Sequence, residues 1–377
     1  MKYLCLLLCL LLLCGCSFEN PVSPETTVPV EVSEEPALPP ETVPPDPIRE
    51  MLDGMSLEER VGQLFLARCD DNYAIEHIET CHLGGFVLFG RDFQDQTLDS
   101  IREKLASYQN AAKIPLLIAV DEEGGTVTRV SSNPAFRNQK FSSPRTLYQG
   151  GGLEWVLYEE NEKCALLKGI GINVNLAPVC DITTDRNGFL YHRSLGQDAA
   201  TTADFAANVV TLMHSYALGS CLKHFPGYGN NADTHTGIAV DSRSLDALQS
   251  NDLIPFAAGI SAGADAVLVS HTIVECLDPD LPASLSPAVH QYLRKEMGFD
   301  GVILTDDLVM QAITDTYGAG EAAVLAVLAG NDLLCSTEYT VQYEAVLAAV
   351  LEGRIPIDTL NDAVRHVLQW KIRLELI

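Results

Sequence analysis

Lys223-His224-Phe225-Pro226-Gly227-Tyr228-Gly229 is followed, after three residues, by Asp233-Thr234-His235-Thr236-Gly237. Glycine and proline at this density stop regular structure, so the segment is a loop, and loops carry chemistry when a scaffold fixes their roots. A lysine, two histidines and an aspartate in one such loop suit either of two tasks. They could supply metal ligands, or they could form an acid/base apparatus working near neutral pH. Further chemistry-bearing groups stand elsewhere: Asp121-Glu122-Glu123, Asp181, Ser270-His271 and Asp306-Asp307.

Each of these groups follows a short apolar run. Gly85–Phe89, Leu116–Val120, Val174–Ala177, Ser220–Leu222, Ala266–Val269 and Val302–Leu304 read as buried strands, with Leu333-Leu334 as one more. Amphipathic stretches at Gln96–Asn110, Glu154–Gly169, Ala199–Tyr216, Val341–Leu351 and Thr359–Leu374 read as helices. Strands alternating with helices, and apolar on both faces, mean a parallel sheet covered by helices. An open doubly wound sheet and a closed (β/α)8 barrel both satisfy that pattern. Five strands end in charged or hydrogen-bonding side chains at their carboxyl edge, and no glycine-rich dinucleotide fingerprint is present. An open sheet concentrates such residues at its switch point, whereas a barrel gathers them from most strands into one mouth. The expected fold is therefore a single α/β domain, a (β/α)8 TIM-type barrel spanning 48–377.

Barrel closure would bring Asp121, Lys223, His224, His271 and Asp306 together. Adjacent strand residues point to opposite sides, so only one of Asp306 and Asp307 faces the centre if the strand persists, and the other is left for a hydrogen bond or a helix cap. The sequence does not choose between them.

Taken together, these motifs resemble glycoside hydrolase family 3, in its β-N-acetylglucosaminidase branch. The resemblance rests on Lys223-His224-Phe225-Pro226-Gly227-x-Gly229, Asp233-x-His235 and Thr305-Asp306-Asp307-Leu308. Asp121-Glu122-Glu123-Gly124-Gly125, Asn175 to Asp181, Arg193-Ser194-Leu195-Gly196 and Ala329 to Leu334 look like further landmarks in the same order. It implies a retaining β-N-acetylhexosaminidase acting on GlcNAc-containing fragments of peptidoglycan, without cofactor or metal. Asp306 matches the nucleophile, and His235 the general acid/base with Asp233 as its partner. Asp121, Arg129, Arg193, Lys223 and His224 match sugar-binding positions. Hydrolysis is the expected outcome, although a histidine acid/base leaves room for phosphate to replace water as acceptor. Thr126 and Tyr228 stand where the family usually has arginine and histidine, which puts subsite preference or loop ordering in question. Two rivals remain: a metal-dependent barrel hydrolase built on Asp121, His224, Asp233, His235 and His271, and a barrel that binds wall glycan without cleaving it.

The amino-terminal part belongs to a different regime. Met1-Lys2 and the apolar run from Tyr3 to Cys14 fit a secretory signal peptide, being too short for a membrane span. Leu13-Cys14-Gly15-Cys16 resembles a bacterial lipobox, which implies cleavage after residue 15 and a lipid on Cys16. An ordinary signal peptide is the alternative. Residues 16–47 hold nine of the chain's 19 prolines, with seven acidic residues and no basic one, and read as a disordered tether. The expected location is the outer face of the bacterial cytoplasmic membrane, as a lipid-anchored monomer. With 24 basic against 51 acidic residues the chain carries −27, which excludes nucleic acid as a natural partner. The seven cysteines after Cys16 are scattered and show no CxxC spacing, so they form neither a disulfide framework nor a zinc ribbon. A Cys69–Cys81 bridge is the one pairing left open.

Overall fold

A computed structural model describes residues 46–234 and 237–377. The expected signal peptide, Cys16 and the body of the tether lie outside the described residues, as does His235. Eight parallel strands form the centre: β1 Phe65–Arg68, β2 Gly85–Leu88, β3 Leu117–Val120, β4 Val174–Asn175, β5 Gly219–Phe225, β6 Ala266–Val269, β7 Val302–Thr305 and β8 Leu334–Ser336. Each pairs with the next, and β8 pairs back onto β1 through Phe65–Leu334 and Leu66–Cys335. The β7–β8 seam is closed by Leu333 N donating to Ile303 O and Thr305 N to Leu333 O. The sheet is thus a barrel rather than an open layer. Among the described residues no helix is long and apolar enough to cross a membrane.

Strand β1 is the element that the sequence pattern concealed. Phe-Leu-Ala-Arg contains no β-branched residue and follows a helix, Leu57–Gly62, almost without a break. Its extended state comes from its two ladders, to β2 and β8, and not from local preference. The Glu154–Gly169 helix also begins earlier, at Pro144 behind the Ser143 cap, and bends at Gly151 and Gly152. At the other end of the described chain, Asp46 caps a helix Pro47–Asp53 and meets Arg365 at 2.8 Å, so Asp46 and Pro47, expected in the tether, are part of the folded domain. Cys69 and Cys81 are free thiols, both buried, which settles against the bridge left open above.

Inside the barrel, Leu66, Val87, Leu117, Ala119, Leu176, Cys221, Leu268, Leu304 and Leu333 interdigitate. The final helix, Ile357–Arg373, closes the amino-terminal end of the barrel by inserting Val367 and Trp370. Gly219 makes room for that indole, since a Cβ there would stand 2.9 Å from it. With one end plugged, function is confined to the carboxyl end of the strands.

The plug carries one expensive residue. Lys371 is fully buried, with its ammonium 2.6 Å from Gln63 Oε1, and desolvation pushes its pKa down to about 7. Unfolded lysine keeps its proton to about pH 10.4. Between those values the unfolded chain binds more protons than the folded one, so the cost of burying Lys371 shrinks as pH rises. Lys371→Met is expected to exceed the parent in stability by about 1–3 kcal/mol near pH 6, with the advantage falling steadily toward pH 10. Urea unfolding of both proteins across that range measures it, and a pH-independent difference would contradict the assignment.

Candidate active site

The open end of the barrel holds a cavity of about 580 Å3. Its wall includes Arg68 at the end of β1, Phe89 after β2, Asp121 and Arg129 after β3, and Arg193 from the β4 loop. Lys223 and His224 come from β5, Asp306 and Asp307 from β7, and Thr337 from β8. All the described residues expected to bind sugar, and the expected nucleophile, therefore share one space. Asp233 lies outside that lining, on the loop that continues into His235.

Charged groups alternate along the floor. Lys223 Nζ stands 2.5 Å from Asp121 Oδ1 and 2.7 Å from Glu123 Oε1. Arg193 grips Glu123 with two bonds, of 2.9 and 2.7 Å, and reaches His224 Nε2 at 3.2 Å. On its other side, His224 Nδ1 meets Asp181 Oδ2 at 2.7 Å. A guanidinium can only donate and a carboxylate can only accept, so the proton of His224 sits on Nδ1 and Nε2 is an acceptor. Burial alone would raise the Glu123 carboxyl, but the Arg193 and Lys223 charges override it and hold it well below the usual carboxylate range. Burial would likewise strip the Lys223 proton, and Asp121 and Glu123 more than restore it. Glu123 and Lys223 are thereby held charged, each against its opposite.

Local structure explains how the row is aimed. Glu122, fully buried, accepts from the backbone N–H groups of Arg129 and Val130 at 2.7 Å and from Ser131 at 3.3 Å, and the Ser131 hydroxyl bonds to it as well. That one carboxylate folds the β3 loop back so that Arg129 returns to the cavity. Asp181 plays the same part after β4, accepting from His224 N at 2.9 Å and Tyr228 N at 2.8 Å besides the imidazole. Gly227, at φ 110°, turns the chain where a Cβ would meet Asp252 at 2.8 Å.

The pair left undecided by the sequence is resolved by partners. Asp307 accepts from Val309 N and Thr337 N at 3.2 Å and from the Thr337 hydroxyl at 2.6 Å, so its carboxylate fastens β7 to β8. Asp306 presents its carboxylate to the cavity, with Oδ1 steadied by Asp307 N at 2.9 Å. His271 is fully buried behind them, bonded to Ser284 Oγ at 2.6 Å and Asp307 O at 3.0 Å, and does not line the cavity.

Tyr228 occupies the position where histidine is usual. Its ring packs edge-on against His224 and Phe189, at 5.5 and 5.1 Å, and its hydroxyl meets Thr234 Oγ1 at 2.6 Å. The departure thus ties the root of the loop beside Asp233. Thr126 is exposed and outside the cavity lining.

Four residues escaped the sequence reading as parts of the site. Glu123 and Asp181 were visible within motifs, but only the fold shows that they hold Lys223, Arg193 and His224. Thr337 emerges only once β8 is placed. Arg68 ends the concealed strand β1; its guanidinium lies over the Phe89 ring at 4.8 Å, with that of Arg129 at 5.7 Å. Of the five groups in the metal reading, Asp121 already pairs with a lysine, Asp181 and Arg193 engage both nitrogens of His224, and His271 stands outside the cavity lining. Among the described residues, the three ligand-type side chains that do converge are Cys69, Asp71 and Asp92, and none of them lines this cavity.

Comparison with known proteins agrees with this geometry. Residues 56–370 match the model of the glycosyl hydrolase family 3 N terminal domain. A protein named Beta-hexosaminidase from Xylella fastidiosa (strain M23) is 35% identical over 314 residues, covering 78% of this chain and 88% of that protein. The structure of a glycoside hydrolase family 3 beta-N-acetylglucosaminidase from Paenibacillus sp. str. FPU-7 superposes with a TM-score of 0.80 at 33% identity. That match covers 85% of this chain but only 63% of the Paenibacillus chain. Beta-N-acetylhexosaminidase from Beutenbergia cavernae gives a TM-score of 0.75 at 29% identity, over 84% of this chain and 98% of that one. A barrel with its charged row at the mouth, and a family match running almost the whole length of that barrel, lead to one conclusion: this chain is a glycoside hydrolase belonging to glycosyl hydrolase family 3.

Proposed function

We propose that the chain is a retaining β-N-acetylhexosaminidase that releases terminal β-linked GlcNAc from peptidoglycan-derived glycans. The observation that carries this reading is the placement of the Asp306 carboxylate in the same cavity as Asp121, Arg129, Arg193, Lys223 and His224. The names of the relatives support the aminosugar preference. In this reading Asp121 accepts bonds from sugar hydroxyls. Lys223, Arg129, Arg193 and the Nε2 edge of His224 supply the complementary polar contacts, and Arg68 adds one that the motifs did not suggest.

Asp306 attacks the anomeric carbon as the bond to the aglycone oxygen breaks, and the His235 imidazolium gives that oxygen its proton. Water then attacks the glycosyl ester, losing a proton to His235, and the Asp306 carboxylate is released. Asp233 orients the imidazole, as the acid does in a catalytic triad. The tie between Tyr228 and Thr234 supports a loop anchored at its root and able to bring the following residues over a bound sugar. A lipid on Cys16 would hold the enzyme at the outer face of the cytoplasmic membrane, where wall fragments arise.

Asp306→Ala is expected to lower turnover of an aryl β-N-acetylglucosaminide by about four orders of magnitude while GlcNAc binding persists. Turnover within tenfold of the parent would remove Asp306 from the mechanism. His235→Ala should slow substrates with poor leaving groups, such as GlcNAc-containing disaccharides, far more than activated aryl glycosides, because an acidic phenol needs little protonation. Equal losses on both substrates would count against His235 as the acid. Cys16→Ser, expressed in a bacterial host, is expected to move the protein from the membrane fraction to the soluble one. Unchanged fractionation would rule out the anchor.

A further inference from the structure

The Pro144–Gly169 helix contains three successive glycines, Gly150-Gly151-Gly152, and is interrupted there, with Gly151 and Gly152 outside helical conformation. They are spent on one side chain. The indole of Trp155 lies on the backbone of the first two, where a Cβ on Gly151 would stand 2.3 Å from the ring and one on Gly150 2.8 Å. Gly152, at φ 67°, makes the bend that allows this. The ring thus rests on the backbone by one side, and Trp155 is 56% exposed. Tyr158, one turn on and 69% exposed, stands beside it, and the two border a surface cleft of about 500 Å3. Carboxylates of Glu154 and Glu162 and the guanidinium of Arg137 edge the same cleft. Arg137 is itself held, at 2.7 Å by Glu162 and 4.2 Å above the Phe141 ring.

Outward-facing aromatic rings flanked by hydrogen-bonding groups match a pyranose, which offers C–H groups on its faces and hydroxyls around its edge. The excess of acidic groups disfavours a polyanion. Two rings set among charges also make too little continuous apolar surface for a docked protein. Position supports the same occupant. Lys163 of this helix bonds Glu123 O, at the level of the cavity floor. Trp155 lies eight residues nearer the helix start, about 12 Å further toward the open end of the barrel. A cavity of about 580 Å3 takes a small ligand, so the remainder of a glycan chain must run over the outside.

We propose that Trp155 and Tyr158 form a second, non-catalytic glycan-binding site that retains a β-linked aminosugar chain while its end occupies the cavity. This rests on the proposed substrate class. The chain has two tryptophans, and Trp370 is fully buried, so emission changes report on Trp155. The full chain carrying Asp306→Asn, which prevents turnover, would be titrated with chitohexaose. The expected result is a saturable quench and blue shift, weakened about tenfold by Tyr158→Ala. Retardation in a glycol-chitin gel should fall similarly in Trp155→Ala, while that variant with Asp306 intact hydrolyses an aryl β-N-acetylglucosaminide within about twofold of the parent. Unchanged emission, or retardation indifferent to Trp155→Ala, would overturn the proposal, as would a response to choline or a basic peptide in place of the glycan. Failure of the parent to cleave the aryl glycoside would instead strike the proposed function, whichever way the emission behaves.

Discussion

The mouth of this barrel depends on burying opposite charges in a row. Asp121, Lys223, Glu123, Arg193, His224 and Asp181 touch in that order across three strand ends, and Lys223 and Glu123 are almost wholly removed from water. Burying such charges is tolerable only when each is matched, and removing one partner from a buried pair typically costs about 3–5 kcal/mol. The row is consequently rigid, and its rigidity is its use. A sugar entering the cavity meets donors and acceptors that already point the right way, so little ordering is left for the binding step.

That constraint explains what several of the acidic residues at the mouth do for the structure. Glu122 gathers backbone donors, Asp181 fixes the His224 tautomer, and Asp307 joins β7 to β8. Asp306, their neighbour in space and sequence, is the carboxylate aimed into the cavity. Identical side-chain chemistry is thus divided by the donors each group meets.

How far this was legible in the sequence depended on whether the signal was local. Strands such as Ala266–Val269 and Val302–Thr305 announce themselves through apolar β-branched runs, and the polar residues after them pointed to a barrel mouth. Asp121, Lys223, His224 and Asp306 could be assembled on that ground, with the family resemblance supplying Arg129 and Arg193. Phe65–Arg68 could not, because its helix-tolerant residues become a strand only between two ladder partners, β2 and the far more distant β8, and Arg68 was missed with it. The choice between Asp306 and Asp307 was equally hidden, since it turns on Thr337 across the β7–β8 seam. The glycine run at Gly150–Gly152 reads as a helix break in sequence and acquires a purpose only when the indole of Trp155 is seen lying on it.

The central claim is that one carboxylate, Asp306, bonds to the sugar. The most direct measurement is trapping with a slowly released 2-deoxy-2-fluoro analogue of the GlcNAc donor, followed by proteolysis and peptide mapping. The account predicts a single glycosylated peptide with the sugar on Asp306. A label on Asp307 or elsewhere, or turnover of the analogue without any covalent adduct, would contradict it.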